Sequence, residues 1–490
     1  MISDIIKKEI LDNLLSHKFL FIFILCSALM LFSVYIGATD YVESKKEHDA
    51  NVAALGERMQ PPATYSFFSE RLGYRVYRPP QILRTVVAGV EDAAGRASYP
   101  NLHYENNLAE SKHEGNTIFT LFGSLDLMFA VKFILSLCAL FLAYDAVSGE
   151  KERGTLKLTL SNSVSRARLI SGKIIGNYVS LLLLFLTPLL MSLIALLLFP
   201  GISFSGDDWQ RLIFIFIMFL LYVSVFFALG IFVSAMTSRE STSFLVLFFL
   251  WIALVIVVPG IAVVVADYVR PIPSSSMLAA EKGLSGFMSQ QEINEAFSKE
   301  YMDLQPRLSQ RAMELQPLMK ENPDAYKAAI EKLNAEMNEE LGKLMAGRQQ
   351  KINDRWAADN ALADKDYQLK KDAQQSLARN ISRISPASSL TFGAMTLART
   401  GVDEYDRFVA ATRVFRPIYR NWIANNPDFS DPQTGAAKQI DPSIIPQLPY
   451  TPETLGELLA RTLLDFALMA AMSIVLLTGA YFAFLRYDAR

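Results

Sequence analysis

Cysteine is nearly absent. Cys26 and Cys138 are the two in 490 residues, and each falls inside an apolar run, which excludes a disulfide framework and a CxxC metal or redox motif. Histidine is scarce as well, at four. His48, His103 and His113 share one polar segment but lack ligand spacing such as HExxH, so they read as solvated surface residues rather than a metal site. A phosphate-cradling loop is missing too. It needs GxxxxGK followed by Ser or Thr, and the nearest approach, Ser171-Gly172-Lys173, is followed by Ile174 and has Ala167 at the first glycine position. No GxSxG nucleophile elbow occurs. Neither sign of charge dominates: 47 Lys and Arg stand against 49 Asp and Glu, and a pI near 6.2 gives no argument for a nucleic-acid partner.

What the chain has is apolar sequence, 51% of its residues with a mean hydropathy of +0.23, more than a soluble protein carries. Residues 1–18 set Ile2, Ile6, Ile10 and Leu14 on one helical stripe, the pattern of an amphipathic helix in the membrane interface. Residues 19–38 run without a charge and are long enough to span. The long amphipathic lead-in and the lack of a small-x-small site argue against a cleaved signal peptide. Residues 39–117, with Pro61-Pro62 and Pro79-Pro80, predict an irregular loop domain. Further spans are expected at 118–144, 174–199, 212–233, 244–266 and 463–484. The second of the six carries Asp126 and Lys132, and the last carries Asp465. Ionisable groups at membrane depth are costly and are expected to face a protein interior or an aqueous path.

Between the second and third spans lies a polar island, residues 145–173. With Tyr144 it reads YDAVSGEKERGTLKLTLSNSVSRARLISGK, and its six Lys or Arg place it on the cytoplasmic side. The 201–208 connection has no Lys or Arg and belongs outside, so both termini are expected inside. Glu150, Lys151, Glu152 and Arg153 would offer charges of both signs to a partner, and Gly154 can bend the chain.

The island resembles the cytoplasmic loop of ABC-2 type exporter permeases, especially the group of gliding-motility and nitrous-oxide-reductase maturation permeases. The residues that carry the likeness are Tyr144-Asp145-Ala146, Gly149-Glu150-Lys151-Glu152, Gly154-Thr155-Leu156, Ser161-Asn162, Arg166 and Gly172-Lys173. The Ser-Pro-Ala-Ser of 385–388 looks like the same group. The resemblance implies an all-α polytopic membrane protein of six helices with an exoplasmic insertion between the fifth and sixth. It implies a coupling helix at Glu150, Lys151, Glu152, Arg153, Gly154 and Thr155 that seats in a separate ATPase subunit. ATP and Mg would then belong to that partner, with no cofactor, metal or catalytic residue in this chain. A second permease subunit, the bilayer lipid and a bacterial inner membrane follow from the same likeness.

Residues 267–457 leave the membrane. Ile293, Phe297, Tyr301, Leu304 and Leu308 recur at helical spacing, and Asn322-Pro323 breaks the pattern. Ile330, Leu333, Met337, Leu341 and Leu344 then follow intervals of four and three, the spacing of a coiled-coil seam. Two long helices folded as a hairpin are expected, with the seam packed within one subunit. Two functions fit: an exporter, or a transducer whose ATPase moves this outer module against an envelope partner. Asp126, Lys132, Asn177, Thr187 and Asp465 supply scattered polarity in the spans and favour the exporter.

Overall fold

A computed structural model describes residues 2–58, 76–91, 95, 97–98, 108–109, 125–161, 165–425 and 446–487. Helix α1 is Ile2–Leu14 and α2 is His17–Arg58. Three two-residue strands follow, β1 Val76–Tyr77, β2 Ala97–Ser98 and β3 Leu108–Ala109, paired antiparallel in that order. The rod α3 covers 127–143, then come α4 Ser148–Glu152, α5 Thr155–Ser161, α6 Arg166–Leu197, α7 Gly206–Met236 and α8 Glu240–Val269. Helices α9 Ser275–Leu315, α10 Pro323–Ser382, α11 Pro386–Ala398, α12 Val402–Asn425 and α13 Leu455–Leu485 complete the chain. Six of these elements, α2, α3, α6, α7, α8 and α13, are long and apolar enough to cross a membrane. In lipid a helix satisfies its own backbone bonds, which is why these runs fold this way. The protein is therefore an all-α polytopic membrane protein, as the hydropathy pattern predicts.

Two compact units divide it: Met1–Gly260 with Ser382–Arg490, and Ile261–Ile381. In the first, α7 is the central helix and packs on α13, α3 and α11. Its Tyr222, Phe226 and Phe227 are fully buried. Gly230 lets it approach α3, because a β-carbon there would lie 2.5 Å from that of Ala143. Helices α3 and α8 each contain a π-helical stretch, Ala130–Leu135 and Ala253–Val257. Such stretches free carbonyls from the α pattern, and hydroxyls take them. Tyr222 donates to the Lys132 carbonyl at 2.7 Å, and Ser385 donates to that of Leu254. Trp251 Nε1 ties the two rods together through Ser136 Oγ at 2.8 Å.

Several boundaries differ from the sequence expectation. Helix α2 does not stop at Ala38 but continues to Arg58, well into the stretch expected to be an irregular loop. Its 42 residues make about 63 Å of helix, roughly twice the hydrocarbon thickness. The charges beyond Ala38 end the apolar run without breaking the helix, because Glu, Lys and Ala are good helix formers. Span two begins at Leu127, with 110–124 outside the described residues, as are His103 and His113. The last span starts eight residues early, at Leu455, where Thr454 and Glu457 form a capping box that hydropathy does not register.

The second unit is a hairpin of α9 and α10. The chain turns at Asn322-Pro323 as its sequence predicts, though α9 starts at Ser275, earlier than the apolar pattern marks. Leu304 is buried and the seam residues Ile330, Leu333, Met337, Leu341 and Leu344 are half-buried. Lys282 pairs with Asp364 at 2.6 Å and Ser289 donates to Asp359 at 2.8 Å. Trp356 packs over Gly286, where a β-carbon would come within 2.8 Å of the ring.

Candidate functional site

The polar island is built, not slack. After Ala143 the chain turns and starts α4, whose first amides have no partner within the helix. Ser234 of α7 accepts two of them, from Val147 and Ser148, each at 3.0 Å. Helix α4 ends at Arg153, and Gly154 has φ +75 with open space around its α-carbon, so conformation and not crowding calls for glycine. The stretch TLKLTLS is helix α5. Its Leu156 is fully buried in a small cluster with Val147, Leu169, Ile170 and Phe484, which anchors the elbow. Arg166 holds the C-terminal segment by donating to the carbonyls of Leu485 and Tyr487 at 3.1 and 2.7 Å.

The six residues expected to meet a partner divide into two groups. Glu150 turns inward and pairs with Lys173 at 2.8 Å. Lys173 is 3% exposed and also pairs with Glu9 of α1 at 2.8 Å. Asn177 donates to Glu9 at 3.2 Å and accepts from Asn13 at 2.9 Å. One buried cation thus joins α1, α4 and α6. The close approach depends on Gly172 and Gly176, where a β-carbon would come within 2.7 Å of Ile5 and 2.6 Å of Glu9. Lys151 also turns inward, donating to the carbonyls of Ala235 and Thr237 and lying 4.9 Å from the Tyr487 ring. Glu152 accepts from the Glu240 amide at 2.8 Å and so caps α8.

Arg153, Gly154 and Thr155 form the outer turn. Arg153 is 63% exposed and makes a 3.6 Å pair with Glu240. Thr155, Lys157 and Leu158 are exposed along α5, Leu158 at 68%. The elbow therefore shows an edge of cationic and apolar character while its acids hold it to the bundle. Asn162, Ser163 and Val164 lie outside the described residues.

The ionisable residues expected in the spans have structural partners. Asp126 is the N-cap of α3, accepting from Phe129 at 2.7 Å, and it also accepts from Ala88 at 2.8 Å, pinning the segment that precedes the span. Asp465 makes a two-pronged pair with Arg383 at 2.8 and 3.1 Å, joining α13 to the turn before α11. Asn177 belongs to the α1 network, and Thr187 is exposed on α6. Lys132 lies 5.3 Å from the Phe133 ring, with no carboxylate of a described residue within 4.0 Å.

Sequence reasoning did not select Glu9, Asn13, Ser234, Glu240 or Arg383. A signal for the first two existed. Gly172 and Gly176 are one turn apart beside Lys173 and Asn177, a small-residue face with polar neighbours, and it needs a partner helix with a carboxylate. Ser234 accepts amides of α4 across helices, and Glu240 is capped at its amide by Glu152 and pairs with Arg153, links that no spacing in the sequence reveals.

Comparison with known proteins agrees with this architecture. A stretch of 45 residues, 9% of this chain, is 49% identical to a probable ABC transporter permease protein NosY of Pseudomonas aeruginosa and covers 16% of it. The corresponding protein of Stutzerimonas stutzeri is 47% identical over 45 residues, again 16% of its length. The chain thus aligns with about a sixth of these relatives. At the level of the whole sequence, residues 4–489 match the family described as ABC-2 family transporter protein, and the chain belongs to that family.

Proposed function

We propose that this chain is the permease subunit through which a separate ATPase subunit drives export, or extraction from the bilayer, of a substrate. The observation that carries the reading is the two-sided elbow of α4 and α5. Its inner side is fixed to α1, α6, α7 and α8 through Glu150, Lys151, Glu152 and Ser234, while Arg153, Thr155, Lys157 and Leu158 face outward. A push on the outer edge is passed to four helices at once, since packed elements shift as rigid bodies. ATP and Mg belong to the ATPase subunit in this account. In this reading the elbow and both termini face the cytoplasm at a bacterial inner membrane, which the island's basic residues support on the side they favour, and a second permease subunit lies alongside.

A second reading is a transducer that moves the α9–α10 hairpin against an envelope partner. It is favoured by the internal pairing of Asp126, Asp465 and Asn177, which leaves little polarity to line a path. That reading predicts that Lys132→Gln leaves function intact. For the primary reading, Arg153→Glu with Lys157→Glu reverses charge only on exposed positions. The double variant is expected to insert normally and to lose the ATPase on purification; co-purification with unchanged ATP turnover would defeat the proposal.

A further inference from the structure

Between α9 and α10 the hairpin leaves a cleft of about 450 Å³. That is within the range of sites that hold small molecules, and gaps between packed helices are a common place for them. Its floor is apolar, made by Ile293, Phe297 and Leu304 of α9 and Leu344 of α10. Gly347 of α10 borders open space, since a β-carbon there would meet nothing within 4 Å. The rim carries both signs, but unevenly. Lys343 is taken up by Glu339, and the acids Glu300 and Glu340 face the same space. Among the described residues, Arg307, Arg348 and Lys351 have no carboxylate within 4.0 Å. Arg348 is held in place by Asn294 at 2.8 Å and by the Phe297 ring at 5.0 Å, so its charge is fixed at the cleft.

The shape narrows the ligand. On α9 the lining runs from Ile293 to Arg307, about 21 Å of helix at 1.5 Å per residue. An elongated groove of that length with an apolar floor suits an extended hydrocarbon chain laid along the helices. We infer that this cleft binds an amphiphile with an extended hydrocarbon chain and an anionic headgroup. The chain lies on the apolar floor, and the headgroup meets the rim cations that lack a carboxylate. Arg307, Arg348 and Lys351 outnumber the acids Glu300 and Glu340 on the rim, so the balance of charge favours an anionic headgroup. Either a free acyl amphiphile or one chain of a bilayer phospholipid carries this chemistry.

The inference rests on the proposed permease role only for why such a molecule would be held, namely as the class of cargo. Binding is read without any ATPase, so a failure here leaves the coupling proposal standing. The probes are a dodecyl phosphate analogue with a diazirine at the chain end and a phosphatidylglycerol with the same tag, each offered to the full chain in nanodiscs. Saturable labelling of peptides within 293–307 and 340–351 is expected, displaced by dodecyl phosphate and not by dodecyl maltoside or inorganic phosphate. Label from the phospholipid marks the bilayer as the source; label from the phosphate probe alone marks a free amphiphile. Arg307→Gln with Lys351→Gln changes only rim positions and should lower labelling at least tenfold. Gly347→Leu fills the cleft, strengthens the helix and should do the same. Labelling confined to the spans, displacement by inorganic phosphate or by the maltoside, or full labelling of both variants would overturn the inference.

Discussion

Lys173→Met should release α1 from the bundle. In the wild type the Lys173 ammonium sits 2.8 Å from carboxylates of both Glu9 and Glu150, and its side chain is 3% exposed. Methionine keeps the length and removes the charge, leaving two carboxylates facing one space. Removing one partner of a buried pair costs about 3–5 kcal/mol. The two acids are 13% and 17% exposed and retain some water, so the low end, about 3 kcal/mol, applies. That is over a hundredfold in the docking equilibrium of α1. Hydrogen exchange of the α1 amides in nanodiscs is the assay, and exchange within Ile2–Leu14 should rise by about that factor. Combining Lys173→Met with Glu9→Gln and Glu150→Gln removes all three charges and should restore most of the protection, because an uncharged replacement of a buried ion pair is often neutral. Unchanged exchange in the single variant, or a triple variant as labile as the single, would refute the reasoning.

Gly154→Ala should strain the elbow by about 1–2 kcal/mol, since φ is +75 there, and a protease cut between α4 and α5 should appear in the variant alone. Asp465→Leu should cost about 3–5 kcal/mol by removing the carboxylate that pairs with Arg383, and adding Arg383→Met should recover much of it; equal thermal midpoints for single and double variants would count against the pair. Burial raises the Glu404 carboxyl above its ordinary value of 4.5, against the pull of Arg78, Arg407 and Arg399. The folded state therefore holds this proton more tightly than the unfolded one, so its contribution is full below 4.5 and is lost as pH rises through the raised value. Relative to wild type, Glu404→Gln should gain thermal midpoint over that rise, and a pH-independent difference would contradict the assignment.

Much of the membrane part was legible because hydropathy is a long-range average that needs no partner. The hairpin was legible for a similar reason: its turn at Asn322-Pro323 and its seam are local patterns. Boundaries set by capping were not, as at Leu455, nor was the continuation of α2, where charge ends the apolar run but not the helix. At the island, the sequence shows a charged loop but not which of its charges turn inward. Glu150 and Glu152 look like surface acids on a charged loop, yet one pairs with Lys173 and the other caps α8. Such pairings join positions up to 164 apart, as Lys173 to Glu9, and only packing reveals them.

The central claim is that the outer edge of α4 and α5 is where an ATP-hydrolysing partner seats. A photo-crosslinking residue placed at Leu158, exposed on α5, tests it in native membranes, with one at Ser205, ahead of α7 and one crossing away, as the control. The account predicts a crosslink from position 158 to a nucleotide-binding polypeptide, with a yield that changes on adding ATP, and none from position 205. A crosslink to that polypeptide from 205 and none from 158 would contradict it.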